Sequence, residues 1–155
     1  MAESFKLYTA TITTKSSTSD SNKVQIISDC VSSGNRNRSN GQVAQIHSLY
    51  ITQRCNNKIE GLNRYNPKYF SAFNLYVQDT SNNKTYIVFD GRITPGSPFF
   101  IEKNITLETT QSLWIECPRD SKDYDSENNA LVILNDTSNI FLDVTASTVL
   151  FPNAD

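Results

Sequence analysis

Apolar residues fall in short runs separated by stretches of Ser, Thr, Asn and Asp, a spacing that predicts strands joined by turns. The first run, Leu7-Tyr8-Thr9-Ala10-Thr11-Ile12-Thr13, is mostly β-branched or aromatic and reads as a strand. Its faces do not separate cleanly, since Leu7 lies on one parity and Tyr8, Ala10 and Ile12 lie on the other. After the polar stretch 14–22, Val24-Gln25-Ile26-Ile27 reads as a short second strand. Residues 30–42, polar and carrying Gly34 and Gly41, read as a long loop. The run 43–52 has Val43, Leu49 and Ile51 on one parity and Ala44, Ile46 and Tyr50 on the other. With neither face polar, it predicts a central strand covered on both sides.

The pattern breaks over about 54–70, where Asn56-Asn57, Gly61, Asn63 and Asn66-Pro67 predict an irregular insertion. It resumes at Phe73-Asn74-Leu75-Tyr76-Val77-Gln78, with Phe73, Leu75 and Val77 facing inward. The turn-forming Asp79-Thr80-Ser81-Asn82-Asn83-Lys84 and the apolar Thr85-Tyr86-Ile87-Val88-Phe89 complete the strongest hairpin signal in the chain. Prolines at 95 and 98 end any ladder there, and short strands follow at 99–101 and 105–107, around Lys103-Asn104. Leu113, Ile115 and Cys117 share one face of the next strand, and Trp114 shares the other with Glu116. An acidic loop over 118–129, a strand at 131–134, a turn at 135–139 and a last strand at 140–149 complete the order. No segment keeps helical periodicity for three turns. The expectation is one domain over 1–155, with roughly eight to ten strands. Its class is all-β, an antiparallel β-sandwich, jelly-roll-like, lying mainly in 42–150.

Composition narrows the functions. Charged residues make up only 19% of the chain, so Ser, Thr and Asn must supply much of the polar surface, which suits strands and turns better than helices. The net charge is −2 and no Lys/Arg run occurs, which argues against a nucleic-acid partner. No apolar stretch approaches the length of a bilayer span, so no membrane role is expected. The start, Met1-Ala2-Glu3-Ser4-Phe5-Lys6, has no apolar signal-peptide core, and folding in a cytoplasm is the expectation. Cys30, Cys55 and Cys117 lack metal-ligand spacing and read as reduced thiols, with Cys117 facing inward; one disulfide in an extracellular particle is the alternative. No cofactor is implied.

From Gln42 onward the features follow in a set order: the strand ending at Thr52, the alternating strand and Asx-rich turn from Phe73 to Lys84, the step Thr94-Pro95-Gly96-Ser97, Ile105-Thr106-Leu107, Ser112-Leu113-Trp114-Ile115 and the closing strand from Ile140. This order resembles that of the small β-sandwich virion structural proteins of tailed bacteriophages, especially cyanobacterial and other marine phages. It spans about two thirds of the chain. The chain departs from that pattern where Pro95 directly precedes Gly96, and where Thr110-Gln111 replaces a Gly-Asp pair. The resemblance implies a component of capsid, neck or tail, with other virion proteins as partners and no catalytic residues.

Candidate chemistry is sparse. His47 is the only imidazole, and within an apolar strand it reads as packed or hydrogen-bonded; Ser48 beside it should point to the opposite face. Asp120, Asp123, Asp125 and Glu127 could gather Ca²⁺ ligands but lack EF-hand spacing, so a solvated loop is expected. Aromatic and basic side chains concentrate in the insertion, where Arg54, Arg64, Tyr65, Lys68, Tyr69 and Phe70 are candidates for a subunit contact. Sealing a sheet end is their alternative role. Trp114 joins the candidates as an outward residue covered by a neighbour. The expected function is a non-enzymatic virion protein that oligomerises or docks on other subunits; the alternative is a carbohydrate-binding module, with glycan as ligand.

Overall fold

The computed structural model describes residues 3–13, 23–28, 42–55, 69–93, 98–117, 132–133 and 140–152. Ten strands lie among them: β1 Ser4–Thr13, β2 Lys23–Ile27, β3 Gln42–Cys55, β4 Tyr69–Asp79, β5 Lys84–Ile93, β6 Phe99–Ile101, β7 Ile105–Leu107, β8 Gln111–Glu116, β9 Val132–Ile133 and β10 Ile140–Pro152. They form two sheets. The first runs β1-β10-β3-β6, with β7 also on β3; the second runs β2-β8-β4-β5, with β9 on β4. Every pairing is antiparallel except β4 with β9. The chain is all-β, in two layers, and the strand order is consistent with a jelly roll.

Alternation decides which faces meet. Tyr8 and Ile12 of β1 are buried, whereas Phe5 and Leu7 point outward, so the strand whose faces looked mixed separates cleanly. Leu142, Val144 and Ala146 on β10, Phe73 and Leu75 on β4, and Leu113 and Ile115 on β8 all have exposures of 1% or less, which defines the inner layer. Phe73, Phe89 and Phe99 close one side of the sandwich, with Phe89 and Phe99 centroids 4.4 Å apart. Gly91 lies beneath that cluster, where a Cβ would overlap the Phe89 ring.

Two expectations are corrected. The sandwich is not mainly confined to 42–150: β1 pairs along its length with β10, β2 pairs with β8, and Tyr8, Ile12, Ile26 and Ile27 belong to the common core. The first strands looked peripheral because their partners lie far away in sequence.

The second correction concerns β3, which is central in its sheet but is covered on one face only. Its register against β10 passes from Ile46↔Thr148 to Ser48↔Ser147, leaving His47 without an opposite residue. This bulge shifts parity. Ala44 and Ile46 face inward before it, Leu49 and Ile51 after it, all at 0% exposure. The outer face carries Gln45, His47, Ser48, Tyr50 and Thr52, of which His47 and Tyr50 are exposed. A shift in parity looked like burial on both sides.

Candidate functional site

The segment chosen as the first working surface lies mostly outside the described residues. Arg64, Tyr65 and Lys68 fall there, as do Asp120, Asp123, Asp125 and Glu127 of the acidic loop. Arg54, Tyr69 and Phe70 are placed by their backbones alone: Arg54 pairs with Phe141 near the end of β3, and Tyr69 and Phe70 pair with Val132 and Ile133. Strand structure thus enters the segment from both ends, to Cys55 and from Tyr69.

Trp114 is the candidate whose surroundings are fully placed. It lies on the outer face of the second sheet, in a row that crosses four strands as Gln25, Trp114, Tyr76 and Ile87. Its ring is nearly parallel to that of Tyr76, with centroids 6.3 Å apart and an interplanar angle of 8°. The Lys23 Nζ stands 5.1 Å from the Trp114 centroid and 5.7 Å from that of Tyr76. Trp114 Nε1 donates to Ser112 Oγ at 2.9 Å, and that hydroxyl donates to the Gln78 carbonyl at 3.3 Å. The outward, neighbour-covered position expected from parity is the one found.

Tyr76 is nearly covered by this packing, and among the described residues its buried hydroxyl has no hydrogen-bond partner within bonding geometry. Burial raises its pKa above the ordinary value; the nearby Lys23 ammonium opposes the shift, and the Glu116 charge adds to it. The rings and the ammonium satisfy one another, which leaves little of Tyr76 for a ligand to stack upon.

The larger apolar exposure lies elsewhere. On the outer face of the first sheet, Phe5 is 83% exposed, Leu7 59% and Phe100 54%, and Tyr50 is also exposed. Phe100 pairs with Tyr50 across β6 and β3, and their centroids are 6.4 Å apart. Between these two edges runs a polar strip, with Thr9 opposite Thr145 and Thr11 opposite Asp143. The Thr11 hydroxyl donates to Asp143 Oδ1 at 2.8 Å. Sequence reasoning recognised the strands but not this face. Phe5 precedes the run read as the first strand, and Phe100 falls in a short strand with no face assigned to it.

The nucleophile geometry fares differently from expectation. His47 is exposed on the bulge, neither packed nor inward, and Ser48 is on its side of the sheet, because alternation fails at a bulge. Among the described residues, no hydrogen bond joins the two. Cys117 is buried immediately beyond β8, and burial, with a smaller push from Glu116, drives the pKa of its thiol up to about 12. Such a thiol is a core filler and a poor nucleophile. Among the described residues, no group of three or more His, Cys, Asp or Glu is placed to hold a metal ion, and no helix is long and apolar enough to cross a membrane. Neither a scan against protein-family models nor a comparison with curated proteins returns a match.

Proposed function

We propose that the chain is a non-enzymatic structural subunit of a phage virion. It is made in the host cytoplasm and docks on or between other virion proteins, as a capsid decoration, neck or tail component. The observation that supports this reading best is the outer face of the first sheet, where Phe5, Leu7, Tyr50 and Phe100 are exposed although the sandwich already has a complete core. Docking would bury these side chains, while the intervening Thr and Ser hydroxyls hydrogen-bond across the contact. Long-range attraction contributes little at a net charge of −2. Jelly rolls serve in capsids and in lectins alike, so the architecture alone does not choose between them.

Co-sedimentation of the full chain with purified virions of the encoding phage tests the reading. Binding is expected, and Phe5→Ser with Leu7→Ser should weaken it about tenfold or more while leaving the circular dichroism spectrum unchanged. A chain that ignores the particle sinks the proposal. Carbohydrate binding is the second reading, and Trp114, partly exposed among Gln25, Asn74 and Gln78, favours it. Glycan-array binding lost in Trp114→Ala, without particle binding, would replace the first reading with the second.

A further inference from the structure

The outer face of the second sheet holds an apolar floor beneath one charged side chain. The Trp114 and Tyr76 rings are nearly parallel but their centroids lie 6.3 Å apart, so they overlap little, and exposed Ile87 continues their row on β5. The Lys23 ammonium lies over both rings, at 5.1 and 5.7 Å. One ammonium reaches two parallel rings in this way only when both turn the same face towards it. Lys23 is itself exposed, and an ammonium held on rings at an exposed site is held weakly.

Beside this cover stands a polar group without a partner. Tyr76 is only 6% exposed with Lys23 in place, and among the described residues its hydroxyl has no hydrogen-bond partner within bonding geometry. Burial raises its pKa and the Lys23 ammonium most opposes the rise, which puts the hydroxyl next to the ammonium. Packing alone does not call for that hydroxyl, because phenylalanine would fill the same space without stranding a polar atom. Amide and hydroxyl side chains surround the floor: Gln25 beside Trp114, Asn74 and Gln78 on either side of Tyr76 along β4, and Ser112 opposite Gln78 on β8. Among the described side chains of this face, Lys23 is set against two carboxylates, Glu116 opposite Lys23 and Asp90 opposite Asn74. An anionic ligand would meet both, so the face suits a neutral one.

A neutral pyranose combines what such a site selects, an apolar C–H face to lie on rings and a rim of hydroxyls to meet amides and a phenol. We propose that this face binds a neutral sugar, which displaces Lys23 from Trp114 and Tyr76 and hydrogen-bonds to the Tyr76 hydroxyl. Lys23 is then a movable cover, and Tyr76 recognises the ligand. The inference rests on the carbohydrate reading of Trp114, to which it adds a ligand class and a cover. It is compatible with docking through the first sheet, whose outer face lies on the other side of the sandwich.

Trp114 is the only tryptophan of the chain, so its emission reports a ligand on the floor. The full chain is titrated with neutral oligosaccharides of glucose, galactose and mannose, and with their sulfated and sialylated counterparts. At least one neutral member should shift the emission saturably, and its charged counterparts should bind more weakly. Calorimetry with that oligosaccharide should show binding lost in Trp114→Ala and tightened about threefold in Lys23→Ala, where the floor is uncovered. Tyr76→Phe should weaken binding about fivefold while raising the urea midpoint of the fold, a combination that general damage could not produce. No binding by any member overturns the carbohydrate reading and this inference with it. Binding that needs Trp114 but ignores either Lys23→Ala or Tyr76→Phe, or that prefers the charged sugars, overturns the inference alone.

Discussion

The Asp79 carboxylate ties two chain reversals together at one end of the sandwich. Its Oδ1 accepts from the Ser81 amide at 2.9 Å, the Ser81 hydroxyl at 2.7 Å and the Thr110 hydroxyl at 2.9 Å, and its Oδ2 accepts from Gln111 Nε2 at 3.2 Å. Thr80 adds its amide and its hydroxyl to the Thr110 carbonyl, at 3.0 and 3.1 Å. Donors directed at the ionised form, Ser81 first, hold the Asp79 pKa at about 2, against an ordinary value of 3.8. A pKa lower in the folded chain than in the unfolded one means stabilisation that is complete above about pH 4 and is lost as pH falls through about 2. Asp79→Asn should therefore unfold at lower urea than the natural chain at pH 7, with the gap closing towards pH 2. A gap that stays constant over that range would show that the carboxylate's charge is not what matters. The Asx-turn itself was legible in the sequence, because Asp79 and Ser81 lie two residues apart. Its partners Thr110 and Gln111 were not, since contacts of that separation follow from topology.

At the scale of elements, β3 shows where alternation serves and where it misleads. Strands with unbroken alternation, such as Leu113 to Cys117 and Phe73 to Val77, announced their buried faces directly. The hairpin of β4 and β5 was equally plain, down to Asn83, which takes the left-handed φ of 56° that its turn requires. In β3 the extra residue at His47 shifted the period, and no local signal separates a bulge from a strand buried on both sides. Deletions test this account. Without His47, Ile46 and Ser48 become neighbours opposite Thr148 and Ser147, and Ala44, Ile46, Leu49 and Ile51 all still face inward. The fold should survive. Without Tyr50, Leu49 and Ile51 become neighbours and one of them must turn outward, at about 1.5–3 kcal/mol for the exposed side chain. Thermal melts should place the Tyr50 deletion well below the His47 deletion, and equal melting temperatures would refute the bulge as the reason for the parity shift. The candidate surface was less legible than the fold, for a related reason. Whether Phe5 or Phe100 faces in or out depends on which strand lies beside it.

For the whole molecule, the decisive pairings are the distant ones. β1 lies on β10, with Ser4 opposite Leu150, and β10 lies in turn on β3. The first sheet therefore has no centre until the last strand arrives, and its inner face has only the second sheet to pack against. Leu142 and Val144 from one layer share a core cluster with Leu75 and Leu113 from the other, so neither layer buries its apolar face alone. Unfolding should accordingly be a single event. The chain offers a direct check, because its one tryptophan, Trp114, sits on the second sheet against Tyr76. Trp114 fluorescence therefore follows that sheet, while far-ultraviolet circular dichroism follows the strands of both. In a urea titration the two curves should coincide in midpoint and slope, as they must when one core joins both sheets. Ile51→Ala changes only the first sheet, yet it should move both curves together, by about 2–5 kcal/mol of stability. Fluorescence that held its midpoint while the dichroism shifted would mean that the second sheet stands alone, contrary to a core built equally from both.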